Sequence, residues 1–384
     1  MFRENFLMKR IAIFAENLYG GGVQRILQII LRNFDYSRYD VTLYTNHKQT
    51  LLSEFYPTNI KQRNIFSSPS EGFISNIVCK ITNHIKLWFY YHCSPSTFYS
   101  LFIRDTYDVG IAFIEGYATR YLCGAPKTMK KIAWLHTDIE TNHWTDVAYQ
   151  SREEEKMCYR MLDIVVCVSE VVQQKARELL GAAHTEIVHN PIDVQYVLNQ
   201  SEVKLCFNDA EHLRFISLGA LIPVKGYDRL LAAACRLLSE GYVFELIILG
   251  EGPDRIKLEH YINDCKIGDN VRLLGYQDNP YPYVKHSDVY VCSSRAEGFN
   301  TAVSEAIILG KAVISTKVSG IIEQLGDNNE YGIVVDNNED GIYNGLKRMM
   351  DIKVVNHYKQ MATKKSGMFN IDKQMNKIYK LIER

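Results

Sequence analysis

Short apolar runs alternate with helical stretches along nearly the whole chain, and this alternation restricts the fold more than any other feature. A run with no polar alternation is buried on both faces, which suits a parallel sheet covered by helices on each side. In the first half the strand candidates are residues 11–15, 41–45, 109–114, 132–136, 164–169 and 186–189. Helical stretches such as 23–34 and Glu170–Leu180 lie between them. Asn190-Pro191 closes this half, because proline lacks a donor and the residue before it leaves the helical region. A polar stretch over about 193–212 reads as the linker. The second half starts the pattern again, with strand candidates at 213–219, 244–250, 271–275, 289–293, 312–315 and 333–335.

The expected fold class is therefore α/β, with two doubly wound Rossmann-like domains. Residues 8–192 make the first and residues 205–365 the second, and about 368–384 read as a closing helix returning to the first domain. Residues 1–7 read as an extension ahead of the folded part. A length of 384 residues suits two domains, and 47% apolar residues suffice for two cores. The net charge of zero speaks against a general nucleic-acid binder. The nine cysteines are scattered without C-x-x-C spacing and read as thiols in a reducing compartment. No D-x-D triplet and no His/Cys cluster with ligand spacing offers a metal site. No stretch reaches the length of a membrane-spanning helix, and Lys9-Arg10 is followed by too short an apolar run for a secretory signal.

Four places carry chemistry. The first is Ser293 to Ala306, with two glutamates eight positions apart, Glu297 and Glu305, around a helix start. A helix N-terminus attracts a diphosphate through its unpaired N–H groups, and a carboxylate can accept from two hydroxyls at once. The second is Gly219-Ala220-Leu221-Ile222-Pro223-Val224-Lys225-Gly226, where a strand turns through Gly219 and a compact cation precedes a helix. The third is Gly20-Gly21-Gly22-Val23-Gln24-Arg25 after the first strand. It is neither a P-loop nor a dinucleotide fingerprint. The fourth is the pair of strand ends at Trp134-Leu135-His136 and Val168-Ser169-Glu170. A strand-end His can face a ligand or serve as a hydrogen-bonded structural residue, and Ser169 reads equally as a helix N-cap.

These motifs resemble glycosyltransferase family 4, a GT-B family of retaining enzymes whose two domains face across a cleft. The E-x7-E motif matches Glu297 and Glu305, G-G-x-x-R matches Gly21, Gly22 and Arg25, and G-R-L-x-x-x-K-G matches Gly219 to Gly226. The resemblance implies transfer of a sugar from a nucleoside-diphosphate sugar, UDP before GDP, to a hydroxyl of a glycan or lipid-linked acceptor. It implies envelope polysaccharide biosynthesis on the cytoplasmic side, with no cofactor and no metal.

By the same resemblance Glu297 orients the donor sugar, His136 contacts it, and Lys225 stabilises the leaving diphosphate. Glu305 holds the ribose, while Gly21 and Gly22 leave space for phosphate and acceptor. Ser169, Gly219, Arg295, Gly298, Phe299, Asn300 and Thr301 complete the binding set. The chain departs from the family at Ala220, where the family has a diphosphate-binding Arg, and Arg295 and Arg25 are the candidate replacements. That departure keeps open a non-catalytic GT-B subunit binding a sugar nucleotide or partner enzyme. An epimerase or hydrolase on the same fold is a further alternative. Residues 73–91 form a helical apolar stripe at 74, 77, 78, 81, 85 and 88. The stripe reads either as a core helix or as a basic amphipathic helix on an anionic membrane.

Overall fold

The computed structural model describes residues 8–18, 21–49, 56–58, 60–68, 73–205 and 212–384. The N-terminal extension, and part of the stretch read as a linker, lie outside them. By its contacts the chain divides into two compact units. One is Met1–Pro191 together with Lys373–Arg384, and the other is Ile192–Asp372.

The first unit holds a seven-stranded sheet: β1 (Lys9–Phe14), β2 (Tyr39–Thr45), β3 (Lys61–Asn64), β4 (Val109–Ala112), β5 (Lys130–Leu135), β6 (Ile164–Cys167) and β7 (Thr185–Ile187). The order is β3-β2-β1-β4-β5-β6-β7, all parallel. The chain begins in the middle at β1, winds outward to β3, then returns to β4 and winds the other way. β3 is an edge strand of sequence Lys-Gln-Arg-Asn, and its polar residues give no strand signal. It exists because it pairs with β2, supported by Lys61 donating to Asp40 at 2.6 Å. The closing helix Ile371–Glu383 packs on this unit. Tyr379 stacks on Tyr39 with ring centroids 5.8 Å apart, and Lys130 Nζ donates to the Leu381 carbonyl at 2.6 Å.

The second unit holds β8 (Arg214–Leu218), β9 (Glu245–Leu249), β10 (Val271–Leu273), β11 (Val289–Cys292), β12 (Ala312–Thr316) and β13 (Ile333–Val335). Their order is β10-β9-β8-β11-β12-β13, again all parallel. Alternate strand residues feed two separate cores. Phe215, Leu246, Ile248, Val289, Val291 and Ile314 pack on one face, while Ile216, Ile247, Leu249, Tyr290 and Val313 pack on the other. That is why these strands read as unbroken apolar runs.

Two expectations are corrected. The first part of the stretch read as a linker belongs to the second unit, where Val194–Ser201 forms a helix capped by Asp193, whose carboxylate accepts the Tyr196 N–H at 2.9 Å. Ile192 and Val197 then pack against Tyr281 and Ile308 of the second unit. A good N-cap and two apolar residues at helical spacing outweigh the polar composition. The helix Phe73–His92 is not a core helix. Only Cys79 and Tyr90 are buried, while the predicted stripe faces solvent, with Ile74 77% and Trp88 55% exposed. Its opposite face is the one fastened down: Tyr90 donates to the Ala148 carbonyl at 2.6 Å, Asn83 to the Ser67 carbonyl at 2.9 Å, and Lys86 to the Ile65 carbonyl at 2.7 Å. Among the described residues no helix is long and apolar enough to cross a membrane.

Candidate functional site

In the second unit the winding reverses between β8 and β11, and ligands of such sheets sit beyond the strand ends at that point. A short turn, Pro223–Lys225, follows β8, and the Ser293–Asn300 loop follows β11. The two are tied together. Arg295 N–H donates to the Val224 carbonyl at 2.7 Å, and Ser293 Oγ donates to the Lys225 carbonyl at 2.8 Å. Gly226 has φ +66°, and a Cβ there would stand 2.2 Å from the Ser293 carbonyl oxygen. The close approach of the two loops therefore demands glycine immediately after the lysine.

This approach brings Lys225 to Glu297. Three donors converge on Glu297 Oε1: Lys225 Nζ at 2.6 Å, Ser294 Oγ at 2.6 Å and Asn300 Nδ2 at 3.2 Å. Burial pulls the Lys225 ammonium down, but the charge and hydrogen bond of Glu297 outweigh it and hold the lysine above its ordinary value. Lys225 is therefore a positive charge at neutral pH. Asn300 also caps the helix Thr301–Ile308, its Oδ1 accepting the Val303 N–H at 3.2 Å. Thr301 is the first residue of that helix, and Gly298 and Phe299 lead into it. Glu305 lies one turn further and is 7% exposed. Tyr281 donates its hydroxyl hydrogen to Glu305 Oε1 at 2.9 Å and so fixes the carboxylate.

Arg295 does not join this group as expected. Its guanidinium is forked onto Asp228 at 2.9 and 2.7 Å and also donates to the Pro223 carbonyl at 2.6 Å. Ala220, next to Gly219 at the end of β8, is exposed. Sequence reasoning missed Ser294, Tyr281 and Asp228. Tyr281 and Asp228 find their partners Glu305 and Arg295 24 and 67 residues away, which a linear motif does not carry, whereas the contact of Ser294 with Glu297 is local.

In the first unit Gly21 and Gly22 sit at the start of the helix Gly22–Arg32, directly after the β1 end. His136 follows β5 and is 6% exposed. Its Nε2 lies 2.8 Å from the Phe113 carbonyl, so Nε2 carries the proton, and Nδ1 has no partner among the described residues. Burial pushes its imidazole below the usual histidine value. Ser169 is fully buried and serves as the N-cap of Glu170–Leu180, accepting the Val172 N–H at 3.3 Å. Two carboxylates that the sequence reading passed over, half-buried Glu16 and buried Glu115, lie just beyond the ends of β1 and β4.

One group with metal-ligand character, His143, Asp146 and Glu155, does occur among the described residues, its ligand atoms all within 4.8 Å of one another. Glu155 is satisfied within the protein, by His143 Nε2 at 2.7 Å and Thr145 Oγ1 at 2.7 Å.

Each unit is thus a doubly wound α/β domain with polar side chains gathered at its reversal point, and solved glycosyltransferases share the fold. The HepE protein of Anabaena in complex with UDP and glucose superposes with TM-score 0.74 at 16% identity, covering 98% of this chain and 99% of that one. Sucrose-phosphate synthase of Thermosynechococcus elongatus superposes with TM-score 0.76 at 15% identity, covering 98% of each chain. Residues 207–366 match the family model described as glycosyl transferases group 1.

Among characterised sequences, the chain is 32% identical over 189 residues to the N-acetylgalactosamine-N,N'-diacetylbacillosaminyl-diphospho-undecaprenol 4-alpha-N-acetylgalactosaminyltransferase of Campylobacter jejuni, covering 48% of this chain and 50% of the relative. It is 27% identical over 178 residues to the lipopolysaccharide core biosynthesis glycosyltransferase LpsE of Rhizobium meliloti, covering 46% and 51%. It is 25% identical over 218 residues to the O-antigen biosynthesis glycosyltransferase WbnH of Escherichia coli, covering 57% and 59%. The chain spans about half the length of these relatives.

Proposed function

We propose that this protein is a retaining glycosyltransferase of family 4 that moves a sugar from a nucleoside-diphosphate sugar, UDP before GDP, to a hydroxyl of a glycan or glycolipid in cell-envelope polysaccharide assembly. The observation that carries the proposal is the Lys225–Glu297 pair at the reversal point of the second unit, with Glu305 on the helix that follows. The family-model match covers these same residues. Lys225 and the first N–H groups of Thr301–Ile308 receive the negative charge that develops on the diphosphate as the sugar C1–O bond breaks. The electron pair leaves with the diphosphate, the acceptor oxygen bonds to C1, and its proton passes to the departing phosphate oxygen. Glu297 keeps Oε2 for a donor-sugar hydroxyl because Oε1 already holds three donors. Glu305, steadied by Tyr281, accepts from the ribose, and no metal is required when cationic groups supply the charge.

The site is proposed to work at a membrane surface, with the exposed face of Phe73–His92 resting on anionic lipid. That helix holds the exposed Lys80 and no acidic residue, and it shows Trp88 and Tyr91 on its open side. Such a face gains from both apolar burial and lipid charge. The HepE, Campylobacter and O-antigen relatives support a UDP-sugar donor and a glycan or lipid-linked acceptor.

Ala220 favours a second reading, a sugar-nucleotide-binding subunit without activity, because it removes a guanidinium from the diphosphate. Product analysis with labelled UDP-sugars in the presence of a chelator separates the readings. Labelled acceptor with retained configuration is expected. Free sugar or an epimer overturns transfer, bound but unchanged donor supports the subunit, and activity that returns only with Mg²⁺ or Mn²⁺ overturns metal independence.

A further inference from the structure

The loop that carries Glu297 is held from a second side, by the residues that follow β12. Thr316, the last residue of that strand and fully buried, donates from Oγ1 to the Ser294 carbonyl at 2.6 Å. Gly320 has φ +73°, and a Cβ there would stand 2.6 Å from the Gly298 carbonyl oxygen. So close an approach demands glycine. It brings the short helix Ile321–Leu325 against the start of the helix Thr301–Ile308.

Gln324 is the polar residue that this short helix buries. Ile321 and Leu325 on the same helix are fully buried, and Gln324 itself is 2% exposed. Its Nε2 donates to the Asn300 carbonyl at 2.7 Å and to Ser304 Oγ at 2.7 Å. Its Oε1 is buried with no hydrogen-bond partner among the described residues. An orphaned buried acceptor opposes folding, and an apolar side chain of the same volume avoids it. Stability alone therefore gives no reason for glutamine here. What glutamine supplies is its donor group, and both of its hydrogen bonds end where the loop becomes the helix.

Asn300 is the joint at that place. Gln324 holds its carbonyl, its Oδ1 accepts the Val303 N–H, and its Nδ2 donates to Glu297 Oε1 at 3.2 Å and to Cys292 Sγ at 3.2 Å. Once the backbone of Asn300 is pinned, its side-chain amide is directed onto Glu297. We propose that Gln324 is a positioning residue for the donor sugar, which touches no ligand itself and aims the Glu297 carboxylate by pinning Asn300. The proposal rests on the reading of this site as one for a sugar nucleotide. The groups assigned to the nucleotide are anchored separately, Lys225 on the turn after β8 and Glu305 by Tyr281. Loss of the Gln324 amide therefore falls on the sugar and spares UDP.

Calorimetry of the full chain with UDP, UDP-glucose and UDP-N-acetylgalactosamine tests this. Gln324→Met, which keeps the volume, weakens binding of the UDP-sugar that wild type prefers by roughly tenfold, the range for a lost hydrogen bond, and binding of UDP by less than about threefold. In an Asn300→Ala background the same change has no further effect on the UDP-sugar, because the two residues act in series. The urea midpoint of Gln324→Met, followed by circular dichroism, is at or above that of wild type, since the orphaned acceptor is gone. Gln324→Leu carries the same test if the methionine variant does not fold. Equal losses for UDP and UDP-sugar, no loss for either, additive losses in the Asn300→Ala background, or a midpoint well below wild type overturns the assignment. Wild type that binds a UDP-sugar without transferring the sugar overturns the transferase reading alone, and wild type that binds none of the three ligands overturns both.

Discussion

Glu16→Gln removes a group whose protonated form the folded state prefers. Burial pushes the Glu16 carboxyl up from 4.5 to about 7, against the lowering effect of the Tyr117 backbone N–H and with a further push from Glu115. The folded protein therefore holds this proton more tightly than the unfolded chain. The stabilising contribution is fully present below the unfolded value of 4.5 and is lost as pH rises through about 7. At about 1.4 kcal/mol per unit, the shift from 4.5 to about 7 corresponds to a total loss of at most about 3.5 kcal/mol on the alkaline side. Glutamine does not titrate, so the variant lacks this component. The other titratable groups that act on Glu16 are Glu115, Tyr117 and Tyr121, and Glu16→Gln removes their coupling to it together with its own titration.

Urea unfolding followed by tryptophan fluorescence isolates the effect, because all three tryptophans, Trp88, Trp134 and Trp144, lie in the first unit. The variant should gain on wild type by about 2–3 kcal/mol between roughly pH 5 and pH 8. Parallel pH profiles for the two proteins would refute the claim that partial burial and the neighbouring Glu115 raise the Glu16 carboxyl.

Three further outcomes are expected. Lys225→Ala and Glu297→Ala should each lower transfer on the order of 100–1,000-fold while the circular dichroism spectrum stays unchanged, and wild-type turnover in either removes the site assignment. Ala220→Arg should bind UDP more tightly, because Ala220 is exposed and Arg295 is committed to Asp228. The gain is at most about 1.5–3 kcal/mol less the entropy of ordering the side chain, and clearly weaker binding by calorimetry means another cation already fills that volume. The double variant Ile77→Glu/Ile81→Glu should lose co-sedimentation with phosphatidylglycerol vesicles by roughly tenfold or more, since two apolar side chains leave the lipid, and unchanged sedimentation rejects the membrane face.

Much of the framework was legible in the sequence. All six strand candidates of the second half form, because both faces of that sheet are covered and most strand residues are apolar. The second-unit motifs were legible for a related reason: a strand, a tight turn and a helix start are local, so Gly219, Lys225, Gly226 and the two glutamates stand at spacings that backbone geometry dictates. What only the tertiary structure decided is which groups meet. Lys225 and Glu297 are 72 residues apart and touch because β8 lies beside β11. Glu16 and Glu115 are 99 residues apart and share a level because β1 lies beside β4.

The pairing of Arg295 with Asp228 is likewise tertiary, and the polar β3 gives no strand signal and forms because β2 pairs with it. The helix Phe73–His92 makes the same point about faces. An apolar stripe has one period whether protein or lipid covers it, since burial in either removes the same surface from water. Periodicity therefore determined that this segment is an amphipathic helix, and the packing of Cys79 and Tyr90 on the opposite side determined which face was left open.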